Sequence, residues 1–149
     1  MKKLLLLGAL SLVFIFPSCS SDDSDAPPST VSARIDGVDY TFNTINVDTE
    51  TYTDNDQTYT DVIITASIDA NPDNRISFIV EQGVTGVDAS WYFTYFLNDT
   101  AHLKTDSFQT IVTESNQHRV VGTFSGTVQA DEEPFNTLEV ENGTFNVHY

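Results

Sequence analysis

Cysteine is almost absent from this chain, which has one, Cys19, among 149 residues. A single thiol forms no disulfide within a chain, and the segment 31–149 contains no thiol at all. A disulfide, a thiol nucleophile and a cysteine-ligated metal are therefore excluded from that segment. Its stability has to come from side-chain packing and backbone hydrogen bonds.

Basic residues are also scarce, since 6 Lys and Arg stand against 22 Asp and Glu, for a formal net charge of −16. Phosphate binding requires clustered Lys and Arg. The composition therefore predicts no nucleic-acid partner, and it disfavours binding of the domain surface to anionic lipid. A strongly acidic surface keeps a protein soluble and apart from its neighbours.

Sequence motifs of the common enzyme classes are missing as well. The chain has no Gly-x-Ser-x-Gly, Ser-x-x-Lys or His-Glu-x-x-His motif and no glycine-rich phosphate loop. Carboxylates are abundant, so a hydrolase with a glycosidase-like carboxylate pair stays open as the less favoured alternative. The sequence predicts a protein that is not an enzyme.

The first 18 residues have the layout of a secretory signal. Two lysines precede an apolar run, Leu4–Phe16, that is shorter than the about 20 residues of a membrane-spanning helix. Bulky Phe16 does not suit an ordinary cleavage site before Cys19, and the segment resembles a bacterial lipobox instead. We expect residues 1–18 to be a lipoprotein signal peptide and Cys19 to carry the lipid that attaches the protein to a membrane. The alternative is an uncleaved anchor with an inert cysteine.

Residues 19–30 are rich in Ser, Asp and Pro, which bury too little apolar area to fold, so they predict a flexible tether. The run Ser20–Asp25 resembles the acidic export tract of lipoproteins from Bacteroidetes-type bacteria. That resemblance implies the cell-surface side of the outer membrane. A plain solvated linker is the alternative, and it leaves the periplasmic face open.

Residues 31–149 predict a single all-β domain. Short runs of Val, Ile, Phe, Tyr and Thr are separated by Asn, Asp and Gly, and no amphipathic helix pattern occurs. Asp36-Gly37 predicts a tight hairpin, and a repeated Thr-Tyr-Thr-Asp string is best explained by a hairpin that places Tyr52 opposite Tyr59. Eight or nine antiparallel strands without a disulfide indicate a β-sandwich or a flattened barrel.

The last two predicted strands, Gln117–Gln129 and Thr137–His148, are the longest. In the second, the inward-facing positions change parity across Asn142-Gly143. A β-bulge or a two-residue hairpin explains such a change. We favour the bulge, because the preceding strand needs a partner of equal length.

Three strings together resemble a family of uncharacterised surface lipoproteins from Bacteroidetes-type bacteria. They are Ile35–Tyr40, with Tyr40 where the family tends to have Trp, and the strings Gly122–Val128 and Leu138–Val147 of the closing hairpin. The resemblance implies a surface or periplasmic β-domain. It implies no activity and no catalytic residues.

The strand Ser90–Leu97 carries the candidate ligand-binding aromatics, Trp91, Tyr92 and Tyr95. Alternation puts Trp91 and Tyr95 on one face, with Phe93 and Leu97, and puts Tyr92 on the other with Phe96. These rings form either a platform on which a sugar stacks or the covered core of a central strand.

The sequence suggests two weak metal sites. Glu50, Asp54 and Asp56 crowd one hairpin and suggest weak calcium binding, although the turn lacks the glycine and distal glutamate of an EF-hand loop. If Val128 lies opposite Leu138, the register brings His118 near His148, a pair with too few ligands for a firm zinc site. The sequence therefore predicts no cofactor, with weak calcium as the alternative.

Together these features predict a lipid-anchored, non-catalytic envelope β-domain that binds a glycan or another envelope protein. The alternatives are an envelope structural or stress lipoprotein without a small ligand, and a carboxylate-based hydrolase.

The lipid attachment is tested by labelling with palmitate in a bacterial host. We expect label in the wild type and none in Cys19→Ala, because the thiol is the acylated group. Equal labelling of both proteins would contradict the lipoprotein interpretation.

Overall fold

The computed structural model describes residues 27–149, so the predicted signal peptide, Cys19 and the acidic part of the predicted tether lie outside the described residues. The described part is all-β and antiparallel, which confirms the predicted fold class. None of its residues belongs to a helix that could span a membrane. The eleven strands are β1 Thr30–Ile35, β2 Val38–Phe42, β3 Thr44–Asp54, β4 Gln57–Ile68, β5 Asn71–Glu81, β6 Gly86–Val87, β7 Ser90–Leu97, β8 Thr100–Lys104, β9 Gln109–Ser115, β10 Arg119–Ala130 and β11 Thr137–His148.

The strands form one sheet in the order β2-β1-β11-β10-β8-β7-β5-β4-β3, and it is not closed into a barrel. Strand β10 has two neighbours along one edge, β8 beside residues 128–130 and β9 beside residues 120–125, and β6 pairs with β9. The predicted strand count of eight or nine was too low, since strands as short as β6 and β8 give little periodicity. Strands β2 and β3 stand at opposite ends of the order yet are joined by Asn43 alone, so the sheet folds over on itself.

A cluster of phenylalanines fills the space between the two layers of the folded sheet. The ring of Phe78 on β5 lies 4.9 Å from that of Phe145 on β11, and Phe93 on β7 lies 5.1 Å from Phe124 on β10. Phe108, just before β9, lies 4.3 Å from Phe93. Buried aromatic pairs of this kind stabilise beyond their buried area. The two layers therefore pack as a sandwich with one core.

Strand β11 contains the bulge that its change of parity predicted. Phe124 pairs with Gly143 and Gly126 with Val140, so one residue of β10 opposes two of β11. The pairing with β1 shifts at the same place, between Ser32 and Arg34. Asn142 has φ +51°, the left-handed conformation that Asn tolerates. The bulge is confirmed, and the alternative hairpin at this position is wrong.

Both predicted hairpins are also confirmed. Strands β1 and β2 are joined by Asp36 and Gly37, both at positive φ. Strands β3 and β4 are joined by Asn55 and Asp56, which also have positive φ, as the preferred two-residue hairpin turn requires. Tyr52 and Tyr59 lie opposite each other, with ring centroids 5.4 Å apart.

Two glycines of the closing hairpin make room for the phenylalanine core. Gly122 lies opposite Phe145, and Gly143 lies opposite Phe124. A Cβ at Gly122 would collide with the carbonyl oxygen of Ile111 and with the ring of Phe145. Both positions therefore require glycine, because a larger side chain would not fit.

We predict that Gly122→Ala lowers the free energy of unfolding by about 3 kcal/mol, the upper end of the range for overpacked cores, because a backbone oxygen cannot rotate away. Urea denaturation measures the effect. The exposed neighbour Thr123→Ala serves as the control and should stay within about 0.5 kcal/mol of the wild type. Equal stability of the two variants would show that the packing around Gly122 is wrong.

Candidate binding face

Trp91 occupies a β-bulge that turns its side chain away from the core. Ile79 pairs with Tyr92, but the next residue of β5, Val80, pairs with Ser90, so Trp91 has no partner on β5. A bulge redirects the residues on one side of it. Ser90 is buried, whereas Trp91 is 57% exposed. The prediction that Trp91 lies on the same face as Phe93 and Tyr95 was wrong, because the extra residue shifts the alternation.

Polar groups at the bulge are satisfied by hydrogen bonds. The hydroxyl of Ser90 donates to the carbonyl oxygen of Tyr92 at 2.8 Å, and Lys104 Nζ donates to the carbonyl oxygen of Ser90 at 3.2 Å. A bulge interrupts the regular ladder, and these two bonds add side-chain partners to backbone carbonyls beside it. The conformation that exposes Trp91 is thus held in place.

Trp91 continues an apolar row across the outer face of the sheet. Tyr92 lies edge-on to it, with ring centroids 6.2 Å apart, and the cross-strand partners Tyr92, Ile79 and Ile63 follow one another over β7, β5 and β4. All three are half-buried. We call Trp91, Tyr92, Ile79 and Ile63 the apolar row.

A row of hydroxyl groups runs beside the apolar row on the same face. Thr65 pairs with Ser77, and Ser77 pairs with Thr94, which is fully buried. Thr65 Oγ1 and Ser77 Oγ lie 3.4 Å apart, and both residues are half-buried. The outer face therefore offers an apolar strip with the hydroxyl groups of Thr65 and Ser77 along one side.

Tyr95, the third candidate aromatic, belongs to the core. It is 1% exposed, and its hydroxyl donates to Asn74 Oδ1 at 3.0 Å. Burial, followed by the nearby Tyr40 and Asp36, raises the pKa of Tyr95 to about 12. With no exposed ring face, Tyr95 cannot take part in stacking on a ligand. Of the two interpretations of this strand, the covered core holds for Tyr95 and the sugar-stacking platform does not.

A third row of the outer face carries carboxylates. Asp61 on β4 pairs with Glu50 on β3 and with Glu81 on β5, so three acidic side chains stand opposite one another on adjacent strands. We call these three residues the acid row. Sequence reasoning singled out Glu50 but missed Glu81, because the pairing of β4 with β5 at this point is not visible in either strand alone.

The predicted calcium ligands Asp54 and Asp56 lie at the tip of the β3–β4 hairpin, away from the acid row. Asp54 Oδ2 accepts a hydrogen bond from Asn55 Nδ2 at 3.0 Å. Within residues 27–149, no three His, Cys, Asp or Glu side chains stand close enough as placed to hold a metal ion. The structure therefore does not bring Glu50, Asp54 and Asp56 together.

The histidine pair is displaced by one residue from its predicted register. Val128 does pair with Leu138, but the β11 bulge lies between that pair and the strand ends, so His148 pairs with Arg119. Successive residues point to opposite faces, so His118 and His148 are not a direct cross-strand pair, although both line one surface pocket with Glu114 and Arg119. The Arg119 guanidinium also stands beside His148, bonded to Glu114 at 2.9 Å, and it disfavours a second cation there. The predicted pairing of the two histidines was wrong.

One pair of interacting carboxylates is relevant to the hydrolase alternative. A hydrogen bond with Asp99, then the charge of Asp99, raises the pKa of Asp73, and Arg75 partly opposes this. Asp99 is exposed, and its chain neighbours Asn98 and Thr100 line a surface pocket that Asp73 and Asp99 themselves do not line.

Comparisons with protein-family models, with curated proteins and with solved structures found no match to this chain.

The exposure of Trp91 is testable by fluorescence, since the chain has one tryptophan. We expect red-shifted emission that acrylamide quenches strongly. Both the emission maximum and the quenching should change little when the protein unfolds in urea. Acrylamide is the suitable quencher because the net charge of −16 repels iodide. Blue-shifted emission that is protected from acrylamide would place Trp91 in the core.

Proposed function

We propose that this protein is a lipid-anchored, non-catalytic domain of the bacterial envelope that binds a glycan on the outer face of its sheet. The observation that carries the proposal is the β-bulge that presents Trp91 to solvent. A large aromatic side chain gains free energy from burial, so its exposure by a hydrogen-bonded bulge needs a reason beyond folding. Bulges that redirect a side chain are features of functional sites.

The chemistry of the outer face favours a sugar. A pyranose ring has flat apolar faces and a rim of hydroxyl groups, so it is recognised by an aromatic face together with hydrogen-bonding side chains. The apolar row supplies the first, and Thr65 and Ser77 in the hydroxyl row supply the second. The net charge of −16 disfavours an anionic polysaccharide, so we propose a neutral glycan.

The position of the domain in the cell follows, in this proposal, from the lipid on Cys19 and the acidic tether. We propose display on the outer surface of the outer membrane. The described chain begins beside the end of β11, where the His148 backbone N–H donates to Ser29 Oγ at 2.9 Å. The proposed tether therefore joins the described part at this end of the sheet.

The proposal is tested on a glycan array with the purified full chain. We expect binding to one or more neutral glycans, reduced at least about tenfold in Trp91→Ala, since aromatic anchors dominate such interfaces. Phe135→Ala is the matched control, because Phe135 is 51% exposed but lies in the loop between β10 and β11.

Binding that is equal in the wild type and in Trp91→Ala would contradict the site. Absence of any glycan binding, with capture of a single envelope protein that depends on Trp91, would favour the protein-binding alternative.

A further inference from the structure

The acid row contains an electrostatic conflict that the described part of the protein does not resolve. Directly opposed residues of antiparallel strands have their Cβ atoms about 5 Å apart, and like charges placed there are destabilising. Asp61 has such a neighbour on each side, Glu50 and Glu81. The ion pairs within residues 27–149 are Arg34 with Glu141 and Arg119 with Glu114, so neither involves the row.

Asp61 is also buried without a hydrogen-bond partner for one of its oxygens. Its exposed fraction is 8%, and Oδ1 is inaccessible and unpaired. A buried polar atom left unsatisfied costs about 1–3 kcal/mol, and more when it is charged. In native proteins such an atom has an explanation, and a bound ion is one of them.

We propose that the acid row is a calcium site, with Asp61 as the fixed ligand and Glu50 and Glu81 as the ligands on either side. Calcium takes six to eight oxygens in flexible geometry, and three carboxylates completed by water supply them. A divalent cation would satisfy Asp61 Oδ1 and remove the repulsion along the row. The ligands are all oxygen, which suits calcium and not zinc.

Glu50 and Glu81 have to change their side-chain conformations to bind the ion, because no three His, Cys, Asp or Glu side chains of residues 27–149 are arranged to hold a metal. Glu50 is exposed and Glu81 is half-buried. Neither carboxylate makes a hydrogen bond within the described residues, so no hydrogen bond has to break when these side chains turn toward Asp61. Tyr52, stacked on Tyr59, borders the row: desolvation and the charges of Asp61 and Glu81 raise its pKa.

This site differs from a site in the turn and is independent of glycan binding. The proposed site lies on the sheet face beside Ile63 and Ile79, whereas Asp54 and Asp56 lie at the hairpin tip. Both candidate sites include Glu50, but their other two ligands differ.

Terbium, which substitutes for calcium and emits on energy transfer from a nearby tyrosine, tests the proposal on the purified full chain. We expect terbium emission excited through Tyr52 and Tyr59, displacement by calcium, and a melting temperature that rises with calcium. Asp61→Asn should weaken binding at least about tenfold while keeping the fold. The double variant Asp54→Asn, Asp56→Asn should bind as the wild type does.

A further readout separates loss of the ligand from loss of the fold. Without calcium, Asp61→Asn should be as stable as the wild type or more stable, since it removes a charge from the row. Glu81→Gln serves as the second variant if Asp61→Asn does not fold. The proposal would be overturned if calcium did not change the melting temperature of the wild type, or if Asp61→Asn bound terbium as the wild type does. So would loss of binding confined to the double variant.

Discussion

The phenylalanine cluster between the layers is the constraint on which the other features depend. Phe78, Phe93, Phe124 and Phe145 must all face the core, since a domain without a disulfide is held together by packing and sheet hydrogen bonds. Side chains alternate along a strand, so an additional residue needs a bulge if the next core residue is still to face inward. The bulges of β7 and β11 do this, and Gly122 and Gly143 give the rings their space.

The outer face follows from the same constraint. With Phe93 facing the core, the additional residue of β7 places Trp91 in solvent at the end of the apolar row. The strand order β7-β5-β4-β3 then lines up three kinds of chemistry side by side: carboxylates, apolar groups and hydroxyls. One register thus determines both the proposed glycan surface and the proposed calcium site, although each has its own ligands.

Local features were predictable from the sequence, and features that depend on strand order were not. Turn residues predicted the hairpins, and the parity change predicted the bulge at Asn142. The histidine pairing failed because that same bulge shifts the register by one residue before His148. Trp91 was misplaced because Ser90–Leu97 is aromatic on both faces, so alternation carries no signal there. Glu81 joins Asp61 only through the pairing of β4 with β5.

The most direct test of this account is the register of β5 against β7, measured by cross-strand nuclear Overhauser effects between backbone protons. The account predicts contacts between Ile79 and Tyr92 and between Val80 and Ser90, with no contact from the Trp91 ring to Phe93. A regular ladder in which Val80 lies opposite Trp91 would contradict it. The tryptophan would then return to the core, and the outer face would lose the residue on which the proposed function rests.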